Sequence, residues 1–155
     1  MNMLLALAAV TAASHAVVPP SPLFGTWAVD VTRLPMPPEA RPKSVTFTFS
    51  DAGAGKWTTH VDIYGGDGSE RHMVATNGLD GTPGPITGDQ TEADTVAAKL
   101  PAPNVMVMQL AKSGISASTR VYTVAPDGTT MIETAAYFGP DGKPLLRTNY
   151  FSRIK

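Results

Sequence analysis

Apolar and polar residues alternate with a period of two along most of this chain. In the segment 44–50, Val45, Phe47 and Phe49 alternate with serine and threonine residues, and the segment 56–64 repeats the pattern. Such alternation predicts β-strands with one face in a core and the other in water. The remaining strands are predicted at 23–30, 69–76, 95–100, 104–111, 115–124, 129–138 and 145–154, with one short strand within 79–88.

Four Asp-Gly pairs separate these strands, at residues 67–68, 80–81, 127–128 and 141–142. Asp-Gly tolerates the positive φ values of tight hairpin turns, so neighbouring strands are expected to pair in an antiparallel manner. No segment has a convincing helical period, and the four prolines in 35–42 predict a loop there rather than a helical lid. The pattern therefore predicts an all-β fold, an antiparallel up-and-down meander that closes into a barrel of about 8–10 strands.

The first residues predict a targeting signal. An apolar run from Met3 to Ala13 precedes Ser14-His15-Ala16, which supplies small residues at a cleavage site after Ala16. The run is shorter than the roughly 20 residues that cross a bilayer as a helix. We expect a signal peptide over 1–16, a proline-rich leader over 17–22 and a single barrel domain over 23–155. The mature protein is then expected to be periplasmic or secreted.

Composition narrows the classes of function. The net charge is −1, which gives no electrostatic reason to expect nucleic acid or an anionic membrane as a partner. The chain has no cysteine, which excludes disulfides, thiolate metal ligands and thiol nucleophiles. Phosphate-binding loops, dinucleotide fingerprints and hydrolase elbows are not found in the sequence, so we expect no cofactor and do not expect an enzyme.

The triplet Gly25-x-Trp27 lies in the first predicted strand and resembles the opening signature of the calycin group, which includes the lipocalins and fatty-acid-binding proteins. In that group the tryptophan closes the bottom of the barrel and packs over the end of the meander. The resemblance thus implies a lipocalin-like barrel in which Trp27 is a structural plug.

A second resemblance covers residues 44–152. The segments 78–81, 86–88, 93–96, 124–131 and 139–144 are similar to those of small exported bacterial β-proteins of unknown function. This group has no established chemistry, so the resemblance implies fold and export and leaves activity open.

Two arginines and one tyrosine are candidate ligand-binding residues. Arg120 and Tyr122 share one face of a predicted strand, and Arg147 lies in the middle of the last one. In fatty-acid-binding proteins an Arg-x-Tyr on the last strand holds a ligand carboxylate, whereas here the triplet comes two strands earlier. A buried arginine is costly unless it is paired, and a ligand carboxylate is one possible partner. The alternative is that Arg120 faces water, with the opposite face of its strand inside (Ile115, Ala117, Thr119 and Val121).

A second cluster consists of His60, Asp62, Glu70 and His72. With a three-residue loop over 65–67, positions 62 and 70 pair across the hairpin, as do 60 and 72. Two imidazoles and two carboxylates at that spacing could hold a divalent metal. The alternative is that they form the solvated outer face of a half-buried hairpin, in which case no metal binds there.

Three functions remain open. The favoured one is non-covalent binding of an apolar or amphipathic small molecule inside the barrel. The second is a non-catalytic envelope or secreted module that binds proteins and whose barrel is filled by side chains. The third is a metal-dependent enzyme that uses the histidine cluster. An interior cavity of roughly 300 Å³ or more would favour the first over the second.

Overall fold

Ten β-strands account for most of residues 20–155, the part of the chain that this computed structural model describes. The predicted signal peptide and residues 17–19 of the leader lie outside the described residues. The strands are β1 Gly25–Val29, β2 Ser44–Gly53, β3 Lys56–Tyr64, β4 Glu70–Gly78, β5 Gly84–Gly88, β6 Thr95–Ala102, β7 Val105–Lys112, β8 Ile115–Val124, β9 Thr130–Phe138 and β10 Pro144–Arg153.

Each strand pairs in an antiparallel manner with its neighbours in the chain, and β1 also pairs with β10, which closes the barrel. The predicted fold class, an all-β up-and-down meander barrel, is confirmed. Closure removes the free sheet edges that would otherwise invite pairing with other chains. The weakest part of the wall is β5, which pairs with β6 over two residue pairs only.

Two short 3₁₀ turns, Val31–Arg33 and Pro38–Ala40, lie in the connection between β1 and β2. The prolines of this segment prevent a longer helix because they lack the N–H group that helix interiors need. Within residues 20–155, no helix is long and apolar enough to cross a membrane.

The Asp-Gly pairs form turns as their sequence predicts. At each pair the aspartate Oδ1 accepts a hydrogen bond from the backbone N–H two residues later. The following glycine has positive φ, for example +68° at Gly128. Backbone hydrogen bonds from Thr129 and Thr130 lower the pKa of Asp127. The group that accepts the hydrogen bonds of this turn is therefore the ionised carboxylate. These local bonds define where each hairpin reverses.

Inward-facing side chains follow the period of two, with odd numbers on β1–β4 and β9–β10 and even numbers on β5–β8. At one end of the barrel they form a closed apolar floor around Trp27, which is fully buried and whose Nε1 donates to the Leu23 carbonyl at 2.9 Å. Other buried members of this floor are Phe49, Met106, Val124, Met131 and Phe151. The floor leaves the rest of the interior free for a site.

Candidate ligand-binding site

A cavity of about 540 Å³ occupies the barrel interior above this floor. Its mouth is lined by residues of two loops at the other end of the barrel, the β1–β2 connection (34–42) and the β3–β4 turn (65–69). The volume exceeds the roughly 300 Å³ expected of small-molecule pockets. The barrel is therefore not filled by its own side chains.

The wall of the cavity is amphipathic. From β2 to β7 it is mostly apolar, with Thr59 and the Asp89-paired Arg71 as polar members: Val45, Phe47, Val61, Ile63, Met73, Ala75, Ile86, Val96, Met108 and Leu110. From β8 to β10 it carries charged and polar groups instead: Arg120, Tyr122, Glu133, Arg147 and Asn149. An interior divided in this way can hold a molecule that has both a polar and an apolar part.

The polar wall consists of two adjacent rows across β8, β9 and β10. In the lower row Tyr122 pairs with Glu133, and Glu133 pairs with Asn149. In the upper row Ala135 pairs with Arg120 on one side and with Arg147 on the other. Opposed residues have Cβ atoms about 5 Å apart, so the small Ala135 leaves space between the two arginines.

Glu133 is the centre of the lower row and is only 1% exposed. Its carboxylate accepts hydrogen bonds from the Tyr122 hydroxyl at 3.0 Å, from Arg120 at 3.2 Å and from the Asn149 amide at 2.5 Å. Burial raises the pKa of the Tyr122 phenol, and the negative charge of Glu133 acts in the same direction. Tyr122 is therefore a neutral donor, and three groups of the protein satisfy the buried carboxylate.

Arg120 is neutralised by the protein itself. It forms ion pairs with Glu133 at 3.2 Å and with Glu92 at 2.8 Å, and its Nε donates to the Ser118 hydroxyl. Burial lowers the pKa of Arg120, but the nearby oxygens of Tyr122, Glu133 and Glu92 outweigh it, so the net shift is upward. A bound anion at Arg120 would have to compete with two carboxylates.

Arg147 differs from Arg120 in having no such partner. It forms no ion pair or hydrogen bond with another side chain of residues 20–155, and its Nε is buried with nothing to donate to. Its neighbour in the upper row is Ala135, and its guanidinium carbon lies 5.9 Å from the centre of the Tyr137 ring. The polar wall thus presents one positive charge that the described protein does not balance.

The three predicted ligand-binding residues, Arg120, Tyr122 and Arg147, all face the cavity. The alternative orientation of β8 does not hold, because Ile115 is 73% exposed while Tyr122 is buried. Sequence reasoning missed Glu133 and Asn149. Glu133 shares a strand face with the buried Met131, and Asn149 shares one with Arg147, so the period of two carried the signal for both.

The four candidate metal ligands, His60, Asp62, Glu70 and His72, lie on the outside of the barrel. Asp62 pairs with His72 and Tyr64 pairs with Glu70, so the expected pairs 62–70 and 60–72 are wrong by two residues. The reason is the length of the loop, which spans the five residues 65–69 instead of the expected three. The Gly65 N–H closes this longer loop by donating to the Ser69 carbonyl. A hairpin register follows its loop length, so a longer loop displaces every pair.

The cluster members satisfy one another on that outer surface. The two ring nitrogens of His72 lie 2.7 Å from Asp62 and 3.4 Å from Glu70, and His60 pairs with Val74 rather than with His72. Within the part of the chain that the structure describes, no group of three or more potential ligands could hold a metal ion. The solvated-face alternative accounts for these residues.

The loop between β5 and β6, residues 89–94, closes over one side of the cavity. Arg71 donates two hydrogen bonds of 3.0 Å to Asp89 at the start of this loop, and Glu92 reaches Arg120 on β8. Lys112 donates to the Gln90 carbonyl at 2.8 Å. Three cations on three strands thus hold the loop against the barrel, one of them from inside the polar wall.

The fold and the cavity together define a closed ten-stranded up-and-down barrel with an open interior, an architecture like that of lipocalins and fatty-acid-binding proteins. Two crystal structures of single-residue variants of the fluorescent protein UnaG are similar to this chain, with TM-scores of 0.56 and 0.55 and 14% identity in each case. The matches cover 86% and 84% of this chain and 97% and 95% of those chains. At this identity the likeness concerns the fold alone. No protein-family model matches the sequence, and no curated protein does.

Proposed function

We propose that this protein binds an amphipathic small molecule non-covalently, with an anionic head group on Arg147 and an apolar body along the wall from β2 to β7. The observation that carries the proposal is the unbalanced Arg147 in a cavity of about 540 Å³. Arg147 is partly buried and its buried Nε has no partner, which is unfavourable, and a ligand carboxylate would supply a charge-assisted hydrogen bond.

Arg120 and Tyr122 have a supporting role in this proposal. Both are engaged by Glu133, so they shape and polarise the wall beside Arg147 rather than receive the anion themselves. The head group would thus lie in the upper row. The apolar body would extend from there toward the mouth, past side chains such as Met108 and Ile63.

The cavity is also the reason to prefer this proposal over a protein-interaction module, which needs no empty interior. The third function, a metal-dependent enzyme, required His60, Asp62, Glu70 and His72 to converge. They lie instead on the outer face, where His72 is engaged by two carboxylates.

The test is a titration with a fluorescent fatty acid, on the wild type and on Arg147→Gln. A charge-assisted hydrogen bond is worth about 1.5–3 kcal/mol. Its loss should weaken binding by roughly tenfold to a hundredfold. The matching fatty alcohol, which has no charge, should bind both proteins with similar affinity.

Arg33→Gln is the matched control. Arg33 also lies over a tyrosine, with its guanidinium carbon 3.2 Å from the Tyr150 ring centre, but it does not line the cavity. It should leave the affinity for the acid unchanged. If the wild type shows no saturable binding, small-molecule binding is wrong and the interaction module is the better proposal. If Arg147→Gln binds the acid as well as wild type, the head group lies elsewhere.

We further propose that the protein is exported after cleavage behind Ala16. The support is the apolar run from Met3 to Ala13 with small residues at 14 and 16. Sequencing the N-terminus of the protein from the host envelope or medium should give Val17 as the first residue. A mature protein that retains Met1 in the cytosol would contradict export, and would leave the binding proposal untouched.

A further inference from the structure

A second polar group of the cavity wall lacks a partner, and it is an acceptor. Asn149 is 7% exposed and lines the cavity, yet its Oδ1 is buried without a hydrogen-bond donor among the described residues. The Nδ2 of the same amide donates to Glu133, so Oδ1 is the atom that still needs a donor.

This acceptor lies next to the unbalanced cation. Arg147 and Asn149 are two residues apart on β10 and share its inner face, so their Cα atoms are about 7 Å apart. Arg147 needs an acceptor and Asn149 needs a donor. No hydrogen bond joins the two side chains in the structure, and the hydroxyl of the neighbouring Tyr122 donates to Glu133 instead. The protein thus leaves one donor and one acceptor unmet at adjacent positions of a single strand.

A simple fatty acid would satisfy only one of them. Its ionised carboxylate accepts from Arg147 but has no hydrogen to offer Asn149. A head group with an N–H a few bonds from the carboxylate would satisfy both. Because an unpaired buried polar atom is unfavourable, the difference should appear as selectivity between ligands.

We propose that the ligand belongs to the N-acylated amino acids, with its carboxylate on Arg147, its amide N–H donated to Asn149 Oδ1 and its acyl chain along the apolar wall. This inference rests on the proposed function, because it assigns the chemistry of the same site. The length of the acyl chain determines how much of the apolar wall the ligand contacts, and the amide N–H provides the hydrogen bond to the polar wall.

The contribution of the ligand N–H group is measured with two probes that differ at the amide nitrogen. N-dodecanoylglycine and N-dodecanoylsarcosine share the acyl chain and the carboxylate, and the second has a methyl group in place of the amide hydrogen. Each is used to displace a bound fluorescent fatty acid. Wild type should bind the glycine conjugate at least tenfold more tightly, since a hydrogen bond to an otherwise unpaired buried group is typically worth about 1.5 kcal/mol or more.

Asn149→Leu removes the acceptor and keeps the side-chain size. It should lose the preference for the glycine conjugate and keep its affinity for the sarcosine conjugate, which also shows that the variant is folded. If this variant does not fold, the bound wild-type complex with ¹⁵N-labelled N-dodecanoylglycine replaces it. There the ligand amide proton should exchange slowly with water.

The outcomes separate this inference from the proposed function. Equal binding of both conjugates by wild type, with both weakened by Arg147→Gln, would overturn the inference while small-molecule binding stands. A preference that persists in Asn149→Leu, or a ligand amide proton that exchanges freely, would also overturn it. If neither conjugate nor the fluorescent fatty acid binds, both proposals fail.

Discussion

The guanidinium carbon of Arg153 lies 4.1 Å from the ring centre of Trp27, so the end of the last strand covers the first. Arg153 also donates to the carbonyl of Gly128 at 2.7 Å and to the carbonyls of Pro22 and Phe24. Gly25 is part of the same arrangement. A Cβ atom there would lie 2.6 Å from an Arg153 nitrogen, and its φ of +118° disfavours other residues. The Gly25-x-Trp27 triplet therefore works together with Arg153 as the closure of the barrel floor.

Trp27→Ala should lower the free energy of unfolding by roughly 3–5 kcal/mol, the usual range for a large aromatic removed from a core. The measurement is urea unfolding followed by circular dichroism. Trp57→Ala is the control, because Trp57 is only partly buried and should cost less. A loss below about 1 kcal/mol at Trp27 would show that the floor does not depend on its ring.

The architecture was predictable from the sequence because it depends on local signals. Alternation such as that of Val45, Phe47 and Phe49 selects strands, and the Asp-Gly pairs select hairpins, so neighbouring strands had to pair in order. Hairpin register was less predictable, since the glycines of 65–68 allow loops of three or five residues. The longer loop forms and moves Asp62 opposite His72 rather than Glu70.

Glu133→Ala should be strongly destabilising, by about 3–5 kcal/mol, because it leaves Arg120 partly unpaired inside the barrel. The double variant Arg120→Met with Glu133→Leu replaces the ion pair with apolar groups of similar size and should recover part of this loss. Both are measured by urea unfolding. A double variant that is less stable than Glu133→Ala would contradict this account of the pair.

The site was less predictable than the fold, for a physical reason. Period two tells which residues share a face but not which face is inside when both contain polar groups, as on β8 and β10. The decision depends on long-range pairing. Glu133 satisfies Tyr122, Arg120 and Asn149 from two neighbouring strands, and this network makes it tolerable for all four polar side chains to lie inside.

Stability should depend on pH through His72. The hydrogen bond to Asp62, followed by that to Glu70, raises the pKa of His72 above its usual 6.5. A raised pKa in the folded state stabilises the fold below pH 6.5, and this contribution disappears as the pH rises through the folded value. In urea unfolding measured over a series of pH values, wild type should thus be more stable than Asp62→Asn at acidic pH, and this difference should shrink as the pH rises. NMR titration of His72 should show a lower pKa in Asp62→Asn, and an unchanged titration would contradict the prediction.

Ligand affinity should respond to Glu92, although this residue is not expected to contact the ligand. Its side chain is 55% exposed, and it reaches from the loop 89–94 to Arg120 at 2.8 Å. It therefore places a negative charge near the path by which an anion would approach Arg147. Glu92→Gln removes that charge and keeps a polar side chain of the same size on the loop.

Glu92→Gln should strengthen the binding of a fluorescent fatty acid by up to about fivefold, the range expected for a charge pair that is partly exposed to solvent. The gain should shrink at high salt, because exposed charges are screened. Glu39→Gln is the control that removes a different carboxylate from the mouth of the cavity. Glu39 also lines the cavity but forms no ion pair with another residue of the described chain. Weaker binding by Glu92→Gln at low salt would show that the loop, held by Glu92, is needed to retain the ligand rather than opposing its charge.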